Sequence, residues 1–375
     1  MLRARLVDKA GDLEPFRAEW DALAVAEGRP FCAPGWLLPW LRHAAPPDAA
    51  LRAIVVEDDG RLAGVAPFIA VRGPGGVTTY RLLGAGASHR VEPVAANGRG
   101  PEVAALVAEA LAKASPAPGV VTFDALPSGS HWPGLVRDAW ARRRPWLGVE
   151  REEPAPTLNL EGRTYEDVLA GKSAHFRKRV RQASRRIEEQ GGRFALAEGI
   201  DSAATALSAF VALHEARWRA RGGSGVVAGG VATMLADVAR ELPAPARLQV
   251  WTLEAKEGPV AAEVLLAAGG EVASWLGGFD ERWAAVQPSI QLLLAAVERA
   301  CREGDRRLDL GPGAQPFKYR LADGDELLRW SLLVPRGPGY ARRLALAAAR
   351  RARYRTAARL GEREKAVLRR MTRLR

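Results

Sequence analysis

Apolar positions along the second half of the chain keep two clear rhythms. Phe176, Val180, Ala183 and Ile187 are spaced four, three and four apart, which puts them on one helical face. The spacing predicts a helix over 174–190, stopped by Gly191-Gly192. The same period predicts helices over 202–220 (Leu207, Val211, His214, Trp218), 229–241 and 290–303 (Ile290, Leu293, Leu294, Val297, Cys301). Apolar runs that are too short for helices predict strands at 247–254, 259–268, 271–279, 306–310 and 327–334. Helices and strands mix throughout, so the fold class is α+β or α/β.

A strand–turn–strand pattern occurs twice. Ile54-Val-Val-Glu-Asp-Asp-Gly-Arg-Leu-Ala-Gly-Val and Trp251-Thr-Leu-Glu-Ala-Lys-Glu-Gly-Pro-Val both flank an acidic glycine turn with apolar residues. Glu57 then aligns with Glu254, and one inserted residue aligns Gly60 with Gly258. This hints at an internal duplication. Proline and glycine clusters suggest the boundaries: a first unit over 1–152, a linker at Glu152-Glu-Pro-Ala-Pro-Thr, a second unit over 157–336, and a tail over 340–375 beyond Arg336-Gly-Pro-Gly.

Composition adds exclusions. With 375 residues, 48% apolar and 26% charged, the chain can bury a sizeable core. Two cysteines, Cys32 and Cys301, make no disulfide scaffold, and the five histidines lack metal-ligand spacing, so no metal is expected. The first residues lack the apolar core of a signal peptide and no run is long enough to span a membrane, so a cytoplasmic protein is expected, with peripheral inner-membrane association left open. The net charge of +12 is local: residues 340–375 hold thirteen Lys/Arg against two Asp/Glu. The tail reads as a solvated helix or arm for RNA or an anionic membrane, or as an extension with no partner.

Four places carry candidate chemistry. Arg177, Arg179 and their neighbours crowd the start of the 174–190 helix, where cations are unfavourable unless an anion answers them; they read as an anion site or as a solvated face. Ser289 is a candidate N-cap after Pro288, with the amides of Ile290, Gln291 and Leu292 turned toward an anion. Asp309 lies in an apolar strand that runs into Gly311-Pro-Gly and on to Lys318 and Tyr319; it reads as a ligand site or as an ion pair beside a turn. His214 and Trp218 share a helical face, and Glu263 interrupts the apolar strand Val260-Ala-Ala-Glu-Val-Leu. A carboxylate in such a strand must face water, a partner or a cavity, where its affinity for a proton rises.

In this order, Phe176-Arg-Lys-Arg-Val-Arg-Gln-Ala-Ser-Arg-Arg-Ile, Leu213-His-Glu-Ala-Arg-Trp-Arg-Ala-Arg-Gly, Pro259-Val-Ala-Ala-Glu, Leu276-Gly-Gly-Phe-Asp, Leu308-Asp-Leu-Gly-Pro-Gly and Phe317-Lys-Tyr-Arg resemble the GNAT-superfamily acyltransferases of the CelD/BcsL cellulose-biosynthesis type, relatives of the Fem-type peptidyltransferases. Pro30-Phe-Cys-Ala-Pro-Gly-Trp and Tyr80-Arg-Leu-Leu-Gly extend the match into the first unit. The resemblance implies two tandem GNAT-like folds with mixed sheets. It also implies transfer of an acyl group from acetyl-CoA or another acyl-CoA to an amine of a small molecule or cell-envelope acceptor. Glu263, Asp280, Asp309 and His214 are then the candidates for handling the amine proton, with Glu263 first. Ser289, Ile290, Gln291 and Leu292 would hold the donor, and Arg177, Arg179, Trp218, Lys318 and Tyr319 would line the substrate. The glycine that the family carries after the proline is Ser289 here. Two other readings stand beside this one: an aminoacyl-tRNA-dependent transferase of Fem type, and a non-catalytic adaptor built on the duplicated fold.

Overall fold

The computed structural model describes residues 1–141, 143–219 and 223–359. The first half runs β1 (Leu2–Val7), α1 (Arg17–Ala26), α2 (Pro34–His43), β2 (Ala50–Leu51), β3 (Ala53–Asp58), β4 (Arg61–Ala66), β5 (Phe68–Arg72), β6 (Thr78–Leu82), β7 (Val94–Ala95), α3 (Gly100–Lys113), β8 (Val120–Pro127), α4 (Trp132–Asp138) and β9 (Trp146–Asn159). The second continues with α5 (Tyr165–Ala170), α6 (Ala174–Glu189), β10 (Arg193–Leu196), α7 (Gly199–Arg219), α8 (Val231–Glu241), β11 (Leu248–Ala255), β12 (Gly258–Ala268), β13 (Glu271–Phe279), α9 (Pro288–Glu303), β14 (Arg307–Asp309), α10 (Lys318–Leu321), β15 (Gly324–Val334) and α11 (Tyr340–Arg359). The class is mixed α/β, as the pattern of apolar positions implies.

Eleven strands form one sheet in the order β10-β11-β12-β13-β14-β9-β15-β8-β6-β5-β2, and β1-β3-β4-β7 form a second. A common plan appears in both halves. β1-β3-β4 and β10-β11-β12 are antiparallel meanders, and their hairpins carry bulges at Val56/Glu57 and Leu253/Glu254, the positions that the sequence repeat aligns. After each meander, a parallel crossover joins β6 to β8 past α3 and β13 to β14 past α9. A parallel pair needs such a long connection, and the helix it contains covers one face of the sheet.

The predicted faces of α6 and α9 are buried as expected. Phe176, Val180, Ala183 and Ile187 of α6 and Ile290, Leu293, Leu294 and Val297 of α9 share one core cluster with Ala261 and Leu265 of β12. Each large apolar side chain so buried contributes roughly 1.5–3 kcal/mol. Ala262, Val264 and Leu266 point to the opposite face, into the core that holds Leu207 and Phe210 of α7. The strand period of two therefore assigns alternate residues of β12 to two different cores.

Two expectations are corrected. The stretch read as a linker, 152–157, is the middle of β9, paired with β15 along its length and with β14 at its end. Its prolines, Pro154 and Pro156, suggested a break, yet Pro154 sits opposite Leu327 and Pro156 opposite Asp325 in a continuous ladder. The tail is not a free arm over its described part. Ala347 of α11 is buried with Val120, Leu332 and Val334, and Arg350 holds Glu150 with Nε–Oε1 2.6 Å and Nη2–Oε2 3.0 Å. Arg343 donates to the Pro335 carbonyl at 2.9 Å and Arg342 to that of Gly75 at 2.8 Å. Ala347 is the buried residue of α11 among those described; Leu360 and Leu368 lie outside the described residues. Among the described residues no helix is long and apolar enough to cross a membrane.

Candidate functional site

The site begins where two parallel strands part. β13 and β14 pair at Glu271–Arg307, Val272–Leu308 and Ala273–Asp309, and go no further. Beyond Ala273 and Asp309 they diverge, and a cleft of about 420 Å³ opens between Ser274–Phe279 on one side and Leu310, Gly311 and Pro312 on the other. The start of α9 closes one end through Gln287, Pro288, Ser289 and Ile290, and Lys318 and Phe317 close another. On β13 a bulge at Trp275 sets Val264 opposite Leu276 and Leu265 opposite Ser274. Bulges of this kind re-aim side chains beside sites.

Glu263 lies in this cleft and is 5% exposed. Ser274 Oγ donates to its Oε1 at 2.7 Å. Burial pushes the carboxyl up to about 7, partly offset by the Ser274 hydrogen bond and the charges of Lys318 and Arg217. Its cross-strand partner is Gly277. A Cβ on Gly277 would stand 2.0 Å from Glu263 Oε2, and a Cβ on Gly278 would stand 2.7 Å from the His214 backbone nitrogen. The glycine pair therefore serves opposite faces of β13, one making room for a carboxylate and the other for helix α7. Gly277→Ala should displace the flexible carboxylate and change cleft chemistry with little loss of stability. Gly278→Ala should meet backbone and lower the melting temperature by several degrees. Thermal unfolding of the two variants checks this, and equal melting temperatures would contradict the assignment.

Lys318 is buried at the cleft floor, where its ammonium donates to the carbonyls of Gly311 at 3.0 Å and Pro312 at 2.8 Å. Burial lowers it to about 8, against the raising influence of Asp309, Glu263 and Glu153. The cleft thus holds a carboxyl and an ammonium that both titrate near neutrality, the condition for proton transfer at physiological pH.

The other expected residues fall elsewhere. Asp309 does not act as a free base: Arg90 Nε at 2.5 Å and His89 Nε2 at 3.0 Å face its Oδ2, and these partners hold it well below the usual carboxylate range despite its burial. Asp280 caps the short helical turn before α9, accepting from the Arg282 amide and guanidinium, which lowers it. His214 is on the far face of the sheet from Glu263, set between the Gly277 carbonyl (3.1 Å) and Ser224 Oγ (2.9 Å), and burial lowers it. Trp218 is 39% exposed and tilts beside His214 without lining the cleft. Arg177 donates to the carbonyls of Ala170 and Lys172, so the crowded start of α6 is answered by the end of α5; Arg179 is exposed. Tyr319 donates to Asp325 at 2.8 Å, outside the cleft.

The helix end also differs from the expectation. Gln287, with φ 52°, is the N-cap in place of Ser289, and Pro288 takes the first helical position, where its missing N–H costs nothing. The amides of Ile290 (3.0 Å) and Gln291 (3.2 Å) both donate to the Gln287 carbonyl. Ser289 and Ile290 line the cleft; Gln291 is turned inward, where its side chain accepts from Ser184. Sequence reasoning did not find Ser274, Arg217, Gln287 or Arg320 in the cleft, nor His89 and Arg90 behind it. The strand–bulge register that brings Ser274 to Glu263 leaves no mark in a linear pattern. Among the described residues no cluster of His, Cys, Asp or Glu gathers to hold a metal.

Residues 174–319 match the family model described as an acetyltransferase (GNAT) domain, which places an acyltransferase domain of GNAT fold in the second half of the chain. No curated protein matches the sequence. Among solved structures, FemX aligns with a TM-score of 0.62 at 12% identity, over 87% of this chain and 97% of that one. L-PGS from Bacillus licheniformis aligns with a TM-score of 0.53 at 12% identity, over 91% of this chain and 96% of that one. At this identity the likenesses establish the fold alone.

Proposed function

We propose that the chain is an N-acyltransferase that moves an acyl group from an acyl-CoA to an amine in the cleft between β13 and β14. The observation that carries the reading is the buried Glu263 carboxyl, which titrates near neutrality inside a cleft lined by Arg217, Lys318 and Arg320. The amine nitrogen attacks the thioester carbonyl to give a tetrahedral oxyanion. Glu263 takes the proton that the nitrogen sheds, the carbon–sulfur bond breaks, and the thiolate leaves with the electron pair. The Lys318 ammonium supplies positive charge to the oxyanion or to anionic parts of donor and acceptor. Ser289, at the start of α9, would face the donor pyrophosphate. Asp309 and Asp280 are engaged by Arg90 and Arg282, and His214 lies on the other face of the sheet, so Glu263 is the base in this scheme. The division into two GNAT-like units, each with its own meander and crossover, belongs to the same proposal.

The likeness to FemX favours a second reading, in which the donor is an aminoacyl-tRNA. Calorimetric titration with acetyl-CoA separates the two. Saturable binding to the parent protein, abolished in Ser289→Glu by repulsion of the pyrophosphate, is expected. No binding to the parent would favour the second reading, and binding unchanged in the variant would move the donor site away from α9.

A further inference from the structure

The cleft in the second half is braced from the first. The segment between β6 and β7 carries His89 and Arg90, both buried. His89 and Arg90 face Oδ2 of Asp309, at 3.0 and 2.5 Å, while Arg90 Nη1 reaches Glu326 at 2.5 Å. The other carboxylate oxygen, Oδ1, accepts the Gly311 amide at 3.0 Å. Gly311, at φ 74°, forms the cleft wall, and its carbonyl is one of the two that hold the Lys318 ammonium. An unbroken series of contacts therefore runs from Arg90 through Asp309 and Gly311 to Lys318. Each link is buried, and in such surroundings charged hydrogen bonds are short and directional.

We propose that Asp309 is a positioning residue, anchored by His89 and Arg90 of the first half, that fixes the Gly311 wall and so places the Lys318 ammonium at the cleft floor. The β13–β14 ladder ends at Asp309, so the wall beyond it has no strand partner on the β13 side to hold it. Asp309 replaces that support with its own carboxylate. It also contributes a negative charge beside Lys318, together with Glu263 and Glu153. Removing the first half's anchors would leave the carboxylate buried and uncompensated, which is a more severe change than removing both charges together.

The inference rests on the reading of the cleft as an acyl-transfer site, but its test does not need turnover. Competitive labelling with acetic anhydride across pH, followed by mass spectrometry of the Lys318 peptide, reports the titration of that ammonium. In the parent it should titrate at about 8. Asp309→Asn should move it lower, because a neighbouring negative charge is lost. Should that variant fail to fold, Arg90→Gln/Asp309→Asn, which leaves neither charge of the pair, supplies the same readout. If acetyl-CoA supports turnover, kcat should also fall roughly tenfold to a hundredfold with KM changed less, as expected for a misplaced group. An unchanged Lys318 titration in a folded variant would overturn the positioning role while leaving the proposed chemistry standing. A lowered titration in a protein that binds no coenzyme A would have the opposite meaning.

Discussion

Glu263→Gln is expected to lower kcat by ~10²–10⁴-fold while making the protein more stable above neutrality. Glutamine keeps an oxygen to accept from Ser274 but cannot take the amine proton. The stability gain follows from the displaced titration. Below the ordinary value of 4.5, the carboxyl is protonated in both folded and unfolded chains and contributes no difference. Between 4.5 and about 7 the unfolded chain releases the proton and the folded one keeps it, so stability falls as pH rises. Above about 7 the folded protein carries a buried ionised carboxylate at a cost on the order of 3 kcal/mol. Glu263→Gln removes that cost, so its melting temperature should exceed the parent's at pH 8 and converge with it near pH 4. The parent's activity should rise through about pH 7 as Glu263 ionises and fall again above about 8 as Lys318 loses its proton. The two groups lie in one cleft with Ser274 and Arg217, so these limbs belong to the pair. Full turnover in the variant would place the base elsewhere.

Removing residues 340–375 is expected to destabilise the protein severely. Without α11, Val120, Leu332 and Val334 lose their cover. At roughly 1.5–3 kcal/mol for each large apolar side chain, the loss rivals the whole stability of many domains. A milder probe leaves the helix in place. Arg350→Met strands Glu150, whose side chain is 1% exposed. The cost should be about 2 kcal/mol, below that of a fully buried pair because Arg350 is itself a third exposed to water. Chemical denaturation measures both. Unchanged midpoints would show that α11 is a surface appendage and return the basic tail to the role of a free arm.

The two bulged hairpins show how much of the repeated strand pattern was legible. Their acidic glycine turns align by sequence, and the matching bulges and crossovers then appear in three dimensions. The faces of α6 and α9 were legible for the same reason: a period of 3.6 depends on neighbours within two turns. The two prolines of β9 misled because local propensity says nothing about two partner strands far along the chain.

At the site, the sequence by itself determined that Glu263 was out of place in an apolar strand, that a helix follows β13 within a few residues of Pro288, and that a lysine follows the Gly311 loop. It could not determine which carboxylate is free to work. Glu263 and Asp309 both interrupt apolar strands and are both buried. Only the tertiary structure separates them: Asp309 meets Arg90 and His89, 219 and 220 residues away, and remains ionised, while Glu263 meets a serine and a glycine and keeps a proton up to about pH 7. The physical reason is that a carboxyl's affinity for a proton depends on burial and nearby charge, and both are set by residues that the fold, not the chain order, brings together.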